Sequence, residues 1–316
     1  MDYSLYFEDK VNNLIDYLKS NNIKAQILGI SGGIDSAVCA AICHEVSERT
    51  NIPLIGRSLP TTNNKTNEVS TADLVGKAFC NDFKVYPIDR FYHQFMIDIV
   101  HKETGSVRYI QNEYTGRFTI DLEDCLKFQT PIANGNIQAR LRMIYLYNLA
   151  SIHNGVVIDT DNLTEHNLGY WTLHGDTGDI CLLHDLWKTQ VFELAKWLHN
   201  HYTTILINTF NFKEPSTTDL TNKANAIAKS LALKPTAGLG ITDSDLDELG
   251  AKSYKQVDDI LKEILAWKSF TIETSWNLKN FLDDQQMLNI PIEIIKNVAT
   301  RHFNSEFKRK HLPIKI

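Results

Sequence analysis

Apolar residues recur along this chain in two periods, and the switches between them mark out its elements. Over 3–20, Leu5, Val11, Leu14, Ile15 and Leu18 fall on one face of an amphipathic helix. A short apolar run at 26–30 predicts a buried strand. A helix is expected over 35–49, where Val38, Ile42 and Val46 lie about one turn apart. The run 52–59, stopped by Pro60, predicts a second buried strand, 66–81 a helix and 83–88 a third strand. Residues 136–153 predict a long helix carrying Leu141, Ile144, Leu146 and Leu149, and a strand follows at 155–159 after the turn His153-Asn154. Strands alternating with helices of this length predict parallel βαβ units. The expected fold is α/β, a doubly wound parallel sheet flanked by helices. Such a sheet binds ligands beyond the carboxyl ends of its strands, so the segments after 26–30 and 155–159 are expected to share one site. Stretches near 101–133, 203–234 and 266–288 predict loops or insertions, and Trp267 and Trp276 in the last predict packing.

The segment between the first strand and the second helix carries the chemistry. It runs Gly29-Ile30-Ser31-Gly32-Gly33-Ile34-Asp35-Ser36. Glycines allow close backbone approach and positive φ. The turn and the first N–H groups of the new helix then form a nest for anionic oxygen, to which Ser31 and Ser36 add hydroxyls. Asp35 is a poor phosphate binder alone but a suitable ligand for a Mg²⁺ that bridges protein and phosphate. The spacing is not that of a Walker A loop, which needs a Lys after its last glycine.

Composition narrows the class. The 316 residues are 43% hydrophobic and 22% charged, an ordinary globular balance with ample material for a core. The formal net charge of −6 argues against a broad nucleic-acid-binding face, and only Lys308, Arg309 and Lys310 form a local basic cluster. The five cysteines form no Cys-x-x-Cys pair, which disfavours a zinc ribbon or redox dithiol. Cys39 and Cys43, at i and i+4, are expected in the core, and the scattered set suits a reducing compartment. Residues 1–5 lack a basic region before an apolar run, and no apolar stretch approaches the roughly 20 residues of a membrane span. A cytoplasmic location, with no membrane or nucleic-acid partner, is the expectation.

The glycine loop resembles the Ser-Gly-Gly-x-Asp-Ser loop of the ATP pyrophosphatase superfamily, whose fold is adenine nucleotide alpha hydrolase-like. Three later segments make the resemblance more specific. They are Gly135-Asn136-Ile137-Gln138-Ala139-Arg140-Leu141-Arg142-Met143; Asp159-Thr160-Asp161-Asn162-Leu163-Thr164-Glu165, continuing to Gly175-Asp176; and Asp185-Leu186-Trp187-Lys188-Thr189-Gln190. In this order they resemble the NAD synthetase family. Pro235-Thr236-Ala237-Gly238, Asp247-Glu248-Leu249-Gly250 and the Phe307-Lys308-Arg309 run are similar to its later blocks. The resemblance covers nearly the whole chain as a single unit, 1–316. It implies ATP-dependent amidation: the nicotinate carboxylate of deamido-NAD attacks the α phosphorus, pyrophosphate leaves, and ammonia then displaces AMP to give NAD. It further implies that Gly29, Ser31, Gly32, Gly33 and Ser36 cradle ATP, that Thr160 and Thr236 contact it, that Lys188 meets phosphate, and that Asp35 and Glu165 hold Mg²⁺. Arg140, Asp179 and Lys308 are the implied substrate contacts, and Asp161 the implied guide for ammonia. The expected assembly is a homodimer. Only 28 residues precede Gly29, so no glutaminase domain is expected there, and the nitrogen source would be free ammonia or a separate glutaminase.

Four departures fall on the substrate side. Asp159 stands where the family has glycine, Leu173 where it has a lysine that touches deamido-NAD, and Phe307 where it has histidine; the segment before Asp179 is about one residue short. They leave room for nicotinate mononucleotide or another carboxylate as the substrate, and for a degenerate nucleotide-binding protein without turnover.

Overall fold

The computed structural model describes residues 1–100, 109–111, 118–120, 130–210, 217–235, 244–271, 276–284, 289–310 and 314–315. The chain begins with α1 (Tyr3–Ser20), β1 (Ala25–Gly29), α2 (Ile34–Thr50), β2 (Leu54–Ser58), α3 (Thr66–Phe79), β3 (Asp82–Val85) and α4 (Asp89–Phe95). A short antiparallel pair, β4 (Tyr109–Gln111) and β5 (Phe118–Ile120), precedes α5 (Pro131–His153) and β6 (Gly155–Asp159). There follow α6 (Leu163–Leu168), β7 (Ile180–Cys181), α7 (Lys188–Phe210), α8 (Thr217–Ala232), α9 (Asp245–Leu249), α10 (Tyr254–Phe270), α11 (Leu278–Asp284), α12 (Ile292–Asn304) and β8 (Ile314–Lys315).

Six strands form one parallel sheet in the order β3-β2-β1-β6-β7-β8. The chain moves outward from β1 to β3, then returns to place β6 on the other side of β1. The order therefore reverses between β1 and β6, and helices cover both faces. Side chains alternate across the sheet. Leu28, Val156 and Ile158 join the large core with α1, α2, α3, α7 and α8, whereas Ala25, Ile27 and Val157 pack against Met143, Leu146 and Ala150 of α5. Strands covered on both faces read as continuous apolar runs, which is why the central strands were legible. Gln26, fully buried in β1, satisfies its amide nitrogen with the carbonyls of Cys43 and Ile52, both at 3.1 Å. A third apolar cluster joins Leu168 of α6 to α9, α10, α11 and α12. No helix among the described residues is long and apolar enough to cross a membrane.

Several expected boundaries shift. The long helix starts at Pro131, five residues before 136, because Thr130 caps it by accepting from Ala133 N at 3.2 Å and proline suits the first turn. Strands β2 and β3 are shorter than the runs 52–59 and 83–88, and α3 stops at Phe79, short of 81. The loop expected over 203–234 is instead helical over 203–210 and 217–232, and only Leu233 and Lys234 among its described residues are not. Its many Thr, Asn and Lys residues form the outer faces of α7 and α8, whose inner faces place Tyr202, Ala224, Ala226 and Ile227 in the core. The stretch 266–288 is also partly helical, through the end of α10 and α11. Trp267 packs edge-on against Phe281 and Phe303, with centroids 5.6 and 6.3 Å away, as expected of a core residue. Most of 101–133 lies outside the described residues. Cys39, Cys43 and Cys181 are buried and Cys80 is half-buried; Cys125 is not among the described residues.

Candidate active site

The segments that follow β1 and β6 meet where the strand order reverses, the crevice in which open parallel sheets bind ligands. Gly32 has φ +87°, and a Cβ on it would lie 2.4 Å from the Glu68 carbonyl oxygen and 2.8 Å from Ala72 N. Only glycine lets the loop press onto α3 in this conformation. Gly33 caps α2 with no side-chain hydrogen bond, so the first amides of this 17-residue helix are open toward the crevice. Ser31 and Ser36 pair through their hydroxyls at 3.0 Å, and Ser31 Oγ also accepts from Gly33 N at 3.2 Å, which braces the turn.

Beside this nest lies a three-residue charged centre. The Lys188 ammonium donates to Asp35 Oδ2 at 2.5 Å and to Glu165 Oε1 at 2.8 Å, with its own side chain only 2% exposed. Asn162 secures both acids. Its Nδ2 donates to Asp35 Oδ1 at 2.8 Å, its Oδ1 accepts from Glu165 N at 3.0 Å, and its own N donates to Glu165 Oε2 at 3.3 Å, the capping box of α6. Burial opposes the charge on Lys188, but Asp35 and Glu165 outweigh it and hold the amine protonated, with its pKa well above the ordinary value. Burial, and then Asp35, push the Glu165 carboxyl up to about 7. A second fixture sets the lysine. Asp258, fully buried on α10, accepts from Thr164 Oγ1 at 2.5 Å, Thr189 Oγ1 at 2.7 Å and Thr189 N at 3.0 Å. Thr164 Oγ1 in turn accepts from Lys188 N at 2.8 Å.

Further carboxylates crowd the end of β6. The buried Asp159 accepts from Asp161 N at 2.6 Å and Gly178 N at 2.9 Å. Burial raises its pKa to about 7, and burial followed by Asp159 raises that of Asp161. Asp176 accepts from Thr172 N at 2.6 Å, and it too is raised by desolvation. Such an excess of buried acid calls for a cation. Asp35 and Glu165 converge on a single nitrogen, so their oxygens stand at a separation that one cation can span. Hard carboxylate oxygens suit Mg²⁺. Among the described residues no group of three His, Cys, Asp or Glu could hold a metal, and Mg²⁺ typically takes one or two carboxylates and fills its remaining positions with phosphate and water. The donor set fits that ion.

Two cavities adjoin one another here, sharing Ser31 and Asp176 in their linings. One, of about 250 Å³, runs from Gly29 and Ser31 along β2 to Leu59 and Pro60. The other, of about 750 Å³, is lined by Asp35, Asp161, Glu165 and Lys188 at one end and by Tyr170, Trp171, Arg301 and Lys308 at the other. Thr160 borders both. Of the residues singled out in the sequence, Gly29, Ser31, Gly33, Asp35, Ser36, Thr160, Asp161, Glu165, Lys188 and Lys308 line these cavities, and Gly32 shapes the loop between its lining neighbours. Thr236 lies outside the described residues. Arg140 and Asp179 are not on the cavity walls. Exposed Arg140 donates from Nε to the Leu173 carbonyl at 3.2 Å, and Asp179 accepts from Val157 N at 2.9 Å and Tyr147 Oη at 3.1 Å. Arg142 lines both cavities instead and donates from Nε to Leu59 O at 2.9 Å. Residues two apart on a helix face different ways, so Arg140 and Arg142 cannot both face the crevice, and the motif alone did not say which one does. Asn64, Glu68 and Asp245 are further lining residues that sequence reasoning missed, since no local pattern marks them.

The doubly wound sheet, the glycine loop at the reversal of strand order and the paired acids define an adenine nucleotide alpha hydrolase-like α/β protein. The family model for NAD synthase matches residues 6–312, and the chain belongs to that family. It is 32% identical to the NH3-dependent NAD+ synthetase of Mycoplasma genitalium over 97% of this chain and 96% of that protein. It is 29% identical to the enzyme of the same description from Methanococcoides burtonii, covering 92% and 87% respectively. Among solved structures, the NMN synthetase of Francisella tularensis superposes with a TM-score of 0.66 at 26% identity, covering 99% of this chain and 98% of that one.

Proposed function

We propose that this protein is an ammonia-dependent, AMP-forming ligase that amidates deamido-NAD to NAD with ATP. The observation that carries the reading is the Asp35–Lys188–Glu165 centre, set against open helix amides where the strand order reverses. The α2 amides and the Ser31–Ser36 turn hold the ATP phosphates, and Thr160 and Thr236 contact the nucleotide. Asp35 and Glu165 would hold Mg²⁺, which when bound supplies charge neutralisation on the polyphosphate. Lys188 keeps its proton and meets phosphate charge as pyrophosphate departs. The fixed donors need no reorganisation during the reaction, the condition under which electrostatic stabilisation is strongest. Asp161, whose carboxyl pKa is raised by burial and then by Asp159, orients ammonia toward the activated carbonyl. Nitrogen comes from free ammonia or a separate glutaminase, and the enzyme works in the cytoplasm.

We also propose a homodimer. Ile144 and Ile152 on α5 are 57% and 65% exposed, and Arg140, Ile144 and Tyr147 share one helix face. A partner docked there would bring Arg140 and Asp179 to a nucleotide shared between subunits.

A second reading has specific support. Leu173 stands where the resemblance implies a substrate-contacting lysine, and one solved relative that covers 99% of this chain, at 26% identity, is an NMN synthetase. On that reading the substrate is nicotinate mononucleotide. Purified protein with ATP, Mg²⁺ and ammonium, offered each nucleotide in turn while AMP and amide are followed, separates the two. Turnover of deamido-NAD supports the first reading and turnover of the mononucleotide alone the second; release of neither AMP nor amide removes both. Under the second reading, Leu173→Lys is expected to raise kcat/KM for deamido-NAD relative to the mononucleotide.

A further inference from the structure

The lining of the larger cavity carries acids, Asp35, Asp161 and Glu165 with Lys188, and also basic residues, Arg301, Lys308 and Lys234, with Glu248. Arg301 projects from the last turn of α12, and Lys308 from the single turn that follows it. The Arg301 guanidinium stacks on the Tyr170 ring, 4.5 Å from its centroid, and its Nε donates to Leu168 O at 3.1 Å. The only described carboxylate near it is Glu248, 3.4 Å from Nη1. The plane of the fork is thereby fixed, and its Nη2 edge makes no hydrogen bond to a described residue. Lys308 donates to the carbonyls of Gly169 at 2.7 Å and Trp171 at 2.5 Å, so one of its three N–H groups remains. Burial first, and then the Arg301 charge, lower the pKa of Lys308.

Glu248 beside Arg301, and Asp176 and Asp161 acting on Lys308, offset this repulsion only in part, since the pKa of Lys308 stays lowered, and an anion bound between the two cations would relieve the rest. The adjoining Tyr170 and Trp171 offer aromatic surface for a flat heterocycle. An oriented guanidinium is the side chain best matched to a phosphate, through two parallel N–H···O bonds. We propose that Arg301, supported by Lys308, is a phosphate-recognition site for the phosphate esterified to the ribose of the nicotinate substrate, distinct from the nest that takes the phosphates of ATP. The inference rests on the proposed function for the identity of that substrate. The phosphate is common to the mononucleotide and the dinucleotide, so the site discriminates nucleotides from their phosphate-free ribosides.

The test is calorimetric binding of nicotinate mononucleotide, deamido-NAD and nicotinate riboside to the full chain, as wild type and as Arg301→Gln and Arg301→Lys, with the KM for ATP measured alongside. Loss of a charge-assisted contact predicts tenfold to about a hundredfold weaker binding of the phosphate-bearing ligands to Arg301→Gln. Riboside binding and the KM for ATP should not move. Arg301→Lys keeps the charge but not the fork, so a smaller loss confined to the same ligands is expected, and it serves alone should Arg301→Gln not fold. Equal weakening of nucleotide and riboside would overturn the proposal, since Arg301 would then only support Tyr170. A rise in the KM for ATP with unchanged nucleotide binding would also overturn it, as would failure of the wild type to bind either phosphate-bearing ligand. Because binding is read without turnover, a protein that binds nucleotides through Arg301 yet amidates none would refute the proposed function and leave this site standing.

Discussion

Replacing Lys188 by Met tests the charged centre most directly. The methionine keeps much of the stem volume and removes the ammonium that two acids share. Lys188 is 2% exposed, and Asp35 and Glu165 are 15% and 19% exposed, so neither acid gains full solvation in exchange. Breaking a buried pair costs about 3–5 kcal/mol, because a charge is left uncompensated. Glu165, already near 7, loses its main stabilising cation and takes up a proton, leaving Asp35 as the one unpaired charge. The lower end of that range, about 3 kcal/mol, is therefore expected, or a Tm lowered by about 4–5 °C for a chain of this size. The sign with pH follows from the same group. A carboxyl whose folded pKa lies above its unfolded value of 4.5 destabilises the fold increasingly as pH rises through about 7. The deficit of Lys188→Met should accordingly deepen between about pH 5.5 and about pH 8, and added Mg²⁺ should recover part of it. Thermal melts at both pH values, in chelator and in Mg²⁺, read this out. A deficit below about 1 kcal/mol, the size of an exposed pair, or one constant across that pH range would refute the assignment of Lys188 as the neutralising group.

Three other perturbations probe the surroundings. Gly32→Ala adds a methyl 2.4 Å from Glu68 O at φ +87°, so the loop must leave α3; a loss of at least about 100-fold in kcat/KM is expected, the scale of an ångström-sized misplacement. Asp258→Asn turns an amide N–H₂ toward a threonine donor, which should cost about 2–3 kcal/mol in denaturant unfolding and reduce kcat as Lys188 and Glu165 lose register. His302, 1% exposed and bonded through Nδ1 to Asn167 O at 3.0 Å, is held neutral by burial with its pKa lowered to about 2. The unfolded chain therefore binds more protons below about pH 6.5, and stability should fall there by about 1.4 kcal/mol per pH unit through this group. His302→Asn should flatten that slope in acid unfolding, and an unchanged slope would show that His302 titrates normally.

The sheet and the loop were legible because their signals are local. Buried strands show as apolar runs, and the glycines of 29–36 sit between a strand and a helix that could be recognised independently. The centre was legible only in parts. Asp35, Glu165 and Lys188 could each be picked out, but their convergence on one nitrogen joins positions 153 and 23 residues apart, and no spacing rule encodes that. Asp258 was missed altogether, because a lone aspartate in an amphipathic helix reads as a solvated residue until Thr164 and Thr189 are seen to close over it. The helices within 203–234 were hidden by polar outer faces that resemble loop composition. That Arg142 rather than Arg140 lines the cavities depends on helix phase against the sheet, a tertiary property.

The position of Asp258 also dictates when the site comes into being. The glycine loop is complete by residue 36 and the β6 acids by residue 165, yet the groups that lock Thr164 and Thr189 lie some 70 to 90 residues further on, at separations of 94 and 69. Contacts this distant form late, after the entropy of closing the intervening chain has been overcome. During synthesis the nascent protein therefore holds an open phosphate nest and loose acids, and acquires a set lysine only when α10 docks. Because α10 and α12 pack in one apolar cluster, the last third of the chain completes the setting of Lys188, which is fixed only as that cluster forms.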